Sequence, residues 1–239
     1  MSISGVCGGN PSWAREGFDD HPVWYGFRPR EQDNMLELYW LSWKPADRAR
    51  ITSNAWLDYL EGSAPDYPER ALRSGLADIR RREQMAIDDP TTPDTRLVDD
   101  PMAMNPIQAG TMTTLYRLML GGIYIDRRAV VAYTRLRYFD PAGGRPGLPQ
   151  DVGALVSAMS EDRLTLTLVN LSELDTRRVV VQGGSFGEHR IVAVTQGGMR
   201  TPVDGPSFEV VLSPSAGATL EIEQRRWADK PTYAFPWNR

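Results

Sequence analysis

The sequence has little cysteine, histidine or lysine: one Cys, two His and two Lys among 239 residues. The lone Cys7 excludes an internal disulfide and a Cys-based zinc site. With His21 and His189 as the two histidines, one chain cannot form a multi-histidine metal centre, so we expect no metal site. The glycine-rich segment 183–187 lacks the Lys of a phosphate-binding loop. No motif indicates a cofactor, and its identity stays open.

Charge and hydropathy narrow the classes of partner. Basic residues number 27 and acidic residues 31, which gives a net charge of −4. Proteins that bind duplex nucleic acid normally have a basic excess, so nucleic acid is not the expected partner. The chain has no run of 18 apolar residues, so we expect no membrane span. Residues 1–9 lack a basic start and an apolar stretch, so we expect no secretory signal and a cytoplasmic location.

Helical patterns dominate the first half of the chain. Apolar side chains occupy nearly every position between Glu31 and Trp43, which predicts a helix buried on most faces and ending at Pro45. Prolines at first-turn positions and glycines after the last apolar residue bound the other helices. The predicted helices are 31–43, 46–60, 68–89 and 106–121. Residues 1–29 hold five aromatic side chains without periodicity, which predicts an irregular segment packed on its own domain or on a partner.

After Gly122 the apolar period changes from 3.6 to 2. Residues 150–159 are predicted to be a short helix or packed loop, and 183–187 a hairpin turn. The final segment, 227–239, has four aromatic side chains and is expected to fold back onto the protein. Glycine and proline separate the predicted strands, which are 129–139, 164–171, 178–182, 190–195, 208–212 and 218–224.

These patterns predict an α+β fold. About four helices, a partial helical barrel, precede an antiparallel β-sandwich, because no helices alternate with the strands. The predicted domains are 1–122, a helical region with an irregular aromatic-rich N-terminal arm, and 123–239, the β-sandwich.

Acidic residues supply candidate catalytic groups. Asp99 and Asp100 lie in a loop rich in Asp and Pro, where carboxylates can act as general acid and base or ligate calcium. Asp before Pro is also ordinary turn chemistry. Glu31 is a further candidate catalytic carboxylate, although a charge effect at a helix start explains it as well.

An aromatic cluster near the N-terminus supplies candidate binding groups. Asp20 beside His21 can raise the pKa of the imidazole and make it a proton donor. Trp24 and Tyr25 can form a platform that stacks a sugar ring or an apolar ligand. Tyr39 and Trp43 would extend that platform. Simple loop and core packing is the alternative for all of these residues.

Several segments resemble the C-terminal portion of large bacterial (α/α)-barrel proteins that have an appended β-sandwich. The segments are Arg137-Tyr138-Phe139-Asp140-Pro141, Arg145-Pro146-Gly147-Leu148-Pro149, Leu168-Val169-Asn170-Leu171 and Pro231-Thr232-Tyr233-Ala234-Phe235-Pro236-Trp237. The wider group includes (α/α)-barrel glycosidases and linalool dehydratase/isomerase-like enzymes. A full toroid needs about a dozen helices and this chain has roughly four, and no catalytic motif matches residue by residue.

Two functional hypotheses follow. In the first, which the resemblance implies, the chain is a subunit or C-terminal part of a helical-barrel enzyme, hydrolase or lyase. It would complete another subunit's barrel around a glycoside, polyol or terpenoid substrate. In the second, the chain is a non-catalytic carbohydrate-binding or scaffolding β-sandwich. The second hypothesis predicts exposed aromatic side chains on a sheet face. The predicted strands contain few aromatics after Phe139, which disfavours it.

Overall fold

The structure, a computed structural model, describes residues 2–5, 25–28, 32–90, 113–124 and 132–239. The chain divides into two compact units, Met1–Asn54 and Ala55–Arg239. Within the described residues, no helix is both long enough and apolar enough to cross a membrane. The predicted domain boundary near residue 122 stays a prediction.

The first unit contains two short strands and two helices among its described residues. Strands β1 (Ser2–Gly5) and β2 (Tyr25–Arg28) pair antiparallel, so the prediction of an irregular backbone is wrong for these two stretches. Four-residue strands are too short to show a period of two. Helices α1 (Gln32–Ser42) and α2 (Pro45–Arg48) follow.

Helix α1 buries a single face instead of most of its surface. Leu36 and Trp40, four residues apart, are almost fully buried, whereas Leu38 is 37% exposed. The helix ends where Trp43 adopts a φ of 53°, and Pro45 follows two residues later. A left-handed residue followed by proline ends a helix in the same way that a glycine cap does.

The predicted helix over 46–60 is broken in the structure. It forms α2 and then, after the non-helical residues 51–54, helix α3 (Ala55–Leu60). Thr52, Ser53 and Asn54 have side chains that compete with the helix for backbone hydrogen bonds. That composition explains the break.

The second unit has three α-helices and one 3-10 helix, Pro236–Asn238, among its described residues. After α3 come α4 (Tyr67–Ile87) and α5 (Thr113–Leu120). Pro68 lies in the first turn of α4, as predicted. Ion pairs three and four residues apart line α4; Asp78, for example, pairs with both Arg81 and Arg82.

Two antiparallel sheets make up most of the C-terminal part. A separate short pair joins β3 (Ile123–Tyr124) to β4 (Ala132–Tyr133). The strands of the two large sheets are β5 (Leu136–Asp140), β6 (Arg145–Pro146), β7 (Val152–Met159), β8 (Arg163–Asn170), β9 (Arg177–Gly183), β10 (Arg190–Gln196), β11 (Met199–Gly205), β12 (Ser207–Leu212) and β13 (Gly217–Arg225). The four-stranded sheet has the order β12-β9-β5-β6, and the five-stranded sheet has the order β11-β10-β13-β8-β7.

One apolar cluster draws on both sheets. Leu164, Leu166 and Leu168 alternate along β8 and are buried, while the intervening threonines are half-buried. Val179 and Val181 from β9 belong to the same cluster. Helix α5 contacts β7, and its Met119 and Leu120 pack against the cluster. The chain is therefore a mixed helix-and-sheet protein, compatible with the predicted α+β class.

Two predicted connections are wrong. Residues 150–159 include β7, an edge strand of the five-stranded sheet, instead of a helix or loop. Gly153, Ala154 and Ala158 weaken the apolar alternation of that strand. Residues 183–187 do not form a hairpin, because β9 and β10 belong to different sheets. Strand β11, which contains Pro202, was not predicted at all.

Candidate functional site

The connection between β9 and β10 crosses from one sheet to the other and is covered by the end of the chain. We call Gly184–His189 the crossover loop and Trp227–Arg239 the C-terminal strap. Asp229 N donates to Glu188 O (3.2 Å), and Thr232 N donates to Phe186 O (3.0 Å). The strap therefore lies along the loop, which confirms the prediction that the final segment folds back onto the protein.

A buried carboxylate shapes the crossover loop. Glu188 is 5% exposed, and its two oxygens accept hydrogen bonds from Ser185 N (3.0 Å) and Phe186 N (2.7 Å). Gly184 has a φ of 80°, and a Cβ there would lie within 2.6 Å of the Glu188 carboxylate. The loop thus needs glycine at position 184 and an acceptor at position 188.

The loop is tied to the five-stranded sheet through Arg135, which is fully buried. Gly184 N donates to Arg135 O (2.9 Å), and the Arg135 Nε donates to Gln224 Oε1 (3.0 Å). Gln224 Nε2 returns a hydrogen bond to Arg135 O (3.0 Å). Reciprocal bonds between buried polar groups hold the loop in one position.

His189 anchors the first residue of the strap. It is fully buried, its Nδ1 accepts a hydrogen bond from Trp227 N (3.2 Å), and its ring meets the Trp227 ring edge-on at 4.6 Å. Burial, assisted by the charges of Arg135 and Arg226, lowers the pKa of His189 to about 3. The imidazole is therefore neutral near pH 7, and its Nδ1 acts as an acceptor.

The segment Gly183-Gly184-Ser185-Phe186-Gly187 has the G-x-S-x-G spacing of a nucleophile elbow, but not its geometry. No helix follows the serine. Ser185 is 6% exposed, and its hydroxyl pairs with that of Thr134 (2.9 Å). The Glu188 carboxylate accepts main-chain N–H groups, and His189 Nδ1 accepts the main chain of Trp227. These three side chains do not form a nucleophile–base–acid relay.

The strap presents aromatic side chains to solvent. Tyr233 is 88% exposed, Trp227 48% and Trp237 41%. Each ring is held edge-on by a ring beneath it: Tyr233 by Phe186 (5.2 Å) and Trp237 by the buried Phe139 (5.9 Å). Aromatic rings that stay exposed on a backbone held in place by hydrogen bonds are typical of binding surfaces.

Two arginines donate hydrogen bonds to the crossover loop on which the strap lies. The guanidinium of Arg137 lies 5.0 Å from the Phe139 ring centroid and donates to Ser185 O (2.9 Å). Arg239 donates from Nη2 to Gln182 Oε1 (3.1 Å) and to Phe186 O (3.0 Å). We call the strap rings together with Arg137 and Arg239 the aromatic surface. It combines apolar faces with hydrogen-bond donors.

The sequence-predicted site residues are only partly described. His21, Trp24, Glu31, Asp99 and Asp100 lie outside the described residues, and so does the side chain of Tyr25 in β2. Their roles stay predictions.

Tyr39 and Trp43 are both half-buried, and their rings contact each other at 5.1 Å. The structure brings these two together, as a platform or a packing pair would require. Within the described residues, no group of three or more His, Cys, Asp or Glu side chains lies close enough to hold a metal ion.

The sequence predicted no site role for His189, Tyr233 or Trp237. The sequence does contain a signal for an aromatic surface, because four of the last thirteen residues are aromatic. Only the folded chain shows that Phe235 is partly covered while Tyr233 is open to solvent.

Comparison with known families found one similarity. A family described as a domain of unknown function (DUF8034) matches residues 52–113, or 62 of the 239 residues. The matched segment includes α3 and α4 and ends where α5 begins, so it excludes both large sheets and the strap. No curated protein and no solved structure matches the chain.

Proposed function

We propose that residues 132–239 form a β-sandwich whose aromatic surface binds a carbohydrate, which makes the chain a binding component. The observation that supports this most is the exposure of Tyr233, Trp227 and Trp237 on a strap that is hydrogen-bonded along the crossover loop. The binding frame exists before the ligand arrives, so little ordering free energy is lost on binding.

The two-sheet architecture supports this proposal. Alternate residues of both sheets enter one apolar cluster, the arrangement expected when two antiparallel sheets pack face to face. The strap therefore rests on a core that is already closed, and its exposed rings are not needed to complete that core.

The chemistry of the aromatic surface fits a sugar ring. The C–H face of a pyranose packs on an aromatic face, while its hydroxyls need donors and acceptors at the rim. Arg137 and Arg239 supply guanidinium groups in the same part of the fold: Arg137 contacts Phe139, the ring on which Trp237 packs, and Arg239 donates to the main chain of Phe186, the ring on which Tyr233 packs.

We expect Tyr233→Ala and Trp237→Ala each to weaken binding of a soluble oligosaccharide about tenfold. Truncating an aromatic binding anchor costs on the order of 1–2 kcal/mol, and about 1.4 kcal/mol corresponds to tenfold in affinity. The measurement is isothermal titration calorimetry of the full chain with cello-, xylo-, manno- and malto-hexaose.

Leu174→Ala is the matched control, because Leu174 is also 88% exposed but lies in the loop between β8 and β9. It should leave the affinity unchanged. Absence of binding to all four sugars at millimolar concentration would refute the proposal. Equal affinities in the wild type and both aromatic variants would refute it as well.

A second function, a subunit that completes a helical barrel, is favoured by helix α4. Tyr67 is its one buried residue, while Leu76 is 48% and Ile87 69% exposed. An amphipathic helix of 21 residues normally buries its apolar stripe against neighbouring elements. The stripe on α4 would then pack on another subunit's helices, around the glycoside, polyol or terpenoid substrate that the resemblance implies.

Hydrophobic dye binding separates the two functions. If α4 needs a partner, the isolated full chain should enhance the fluorescence of an anilinonaphthalene dye, and Leu76→Glu/Ile87→Glu should remove most of that signal. The control is Leu171→Glu/Leu174→Glu, which changes two exposed leucines of the β8–β9 loop and should retain the signal. A monomer without dye enhancement would exclude the barrel function.

A further inference from the structure

A buried hydrogen-bond donor in the helical part of the second unit lacks an acceptor. Trp56 in α3 is 1% exposed, and its Nε1 has no hydrogen-bond partner in the described part of the chain. A buried N–H that loses water without gaining an acceptor costs on the order of 1–3 kcal/mol. Native proteins satisfy most such groups, so this one needs an explanation.

A second such donor lies against the same residue. Arg117 in α5 places its guanidinium carbon 5.7 Å from the centroid of the Trp56 ring. Its Nε is also buried without an acceptor among the described atoms. No carboxylate of the described residues forms an ion pair with Arg117, whereas other arginines of the second unit do so, for example Arg178 with Glu209 (2.8 Å).

The two donors belong to side chains that contact each other. A guanidinium over an indole uses its face for the cation–π contact, which leaves its N–H groups to bond in its own plane. The indole N–H also lies in the plane of its own ring. Two donors and one positive charge therefore lie close together, and none of the described residues supplies an anionic oxygen to them.

We infer that Trp56 and Arg117 form a binding site for a carboxylate. A carboxylate has two acceptor oxygens and one negative charge, which match the two unsatisfied N–H groups and the guanidinium charge. Charge-assisted hydrogen bonds of this kind are roughly twice as strong as neutral ones. The site lies on α3 and α5 and is independent of the carbohydrate-binding proposal.

The test follows the indole N–H resonances of the full, ¹⁵N-labelled chain. Sodium acetate is titrated against sodium chloride at pH 7 and constant ionic strength. We expect one indole resonance, absent from Trp56→Phe, to shift in a saturable manner. Arg117→Gln should weaken the apparent affinity at least tenfold, whereas Arg80→Gln, a change at an exposed arginine of α4, should leave it unchanged.

Arg117→Lys keeps the charge but removes the planar edge, so it should bind acetate several-fold more weakly than the wild type. If Arg117→Gln does not fold, Arg117→Lys provides the same test. A linear or absent shift would overturn the proposal, as would a saturable shift that Arg117→Gln and Arg117→Lys leave intact. Saturation by phosphate or sulfate but not by acetate would overturn the assignment to carboxylates.

Discussion

Acidification from pH 7 to pH 5 is expected to lower the free energy of unfolding by about 2 kcal/mol through His189 alone. Burial lowers the pKa of His189 to about 3 in the folded chain, against an ordinary value of 6.5. The unfolded chain therefore binds a proton that the folded chain excludes. This stabilisation is complete above about pH 6.5 and is lost as the pH falls toward 3.

The charged groups around His189 act in the same direction. Arg135 and Arg226 both disfavour an imidazolium, while the Glu188 main chain opposes them more weakly. Asp78 and Glu223 have pKa values lowered below their ordinary range by hydrogen bonds from arginines, so these two carboxylates act at lower pH than His189. A comparison of the wild type with a variant at position 189 isolates the contribution of the imidazole to the slope of stability against pH.

Urea denaturation at half-unit pH intervals measures this slope. His189→Asn retains an acceptor near the position of Nδ1 for Trp227 N but does not titrate. It should be less stable than the wild type at pH 7, with a much flatter dependence on pH. Gln196→Asn, a change at an exposed residue of β10 that does not titrate, is the control and should keep the wild-type slope. Identical slopes in the wild type and His189→Asn would show that the imidazole is not held neutral.

Gly183→Ala is expected to destabilise the chain by about 3 kcal/mol or more. A Cβ at this position would lie 2.1 Å from the His189 carbonyl oxygen, which is a main-chain atom. A flexible side chain could move aside, but here the backbone at the start of the crossover loop must shift. The hydrogen bonds of Gly183 N to Pro206 O (2.9 Å) and of His189 N to Gly183 O (3.2 Å) would be strained with it.

Differential scanning calorimetry checks this expectation. A loss of about 3 kcal/mol lowers Tm by about 6–12 °C in a unit of this size. Gly153→Ala is the matched control, because Gly153 also lies in a strand and a Cβ there would meet no atom within 4 Å. It should leave Tm unchanged or raise it slightly. Equal Tm values for the two variants would contradict the close approach of Gly183 and His189.

The local elements could be read from the sequence wherever one face is buried. Strand β8 alternates leucine with threonine, and the predicted strand 164–171 differs by one residue from Arg163–Asn170. Strands β9, β10, β12 and β13 were predicted within one residue at each end for the same reason. Strand β7 was missed because glycine and alanine hide its alternation, and β11 because Pro202 interrupts it.

The candidate sites could not be read in this way. The aromatic surface depends on the strap lying along a loop some 40 residues earlier in the chain, and no local pattern encodes that contact. Trp56 and Arg117 are separated by 61 positions in the sequence. Only the tertiary structure brings the Trp56 ring and the Arg117 guanidinium into contact. Charge and hydrophobicity at single positions do not reveal an unsatisfied donor.

The sequence by itself determined that helices between Gln32 and Leu120 are followed by most strands of the two large sheets, because backbone propensity and apolar period act over a few residues. It also determined that neither a disulfide nor a multi-histidine centre forms within the chain, since those depend on composition alone. The tertiary structure decided that β9 and β10 enter different sheets, that His189 is buried and neutral, and that Tyr233 faces solvent. The burial of each of these groups depends on contacts between residues that are distant in the sequence. Those contacts form only when the sheets, the crossover loop and the C-terminal strap pack together and exclude water.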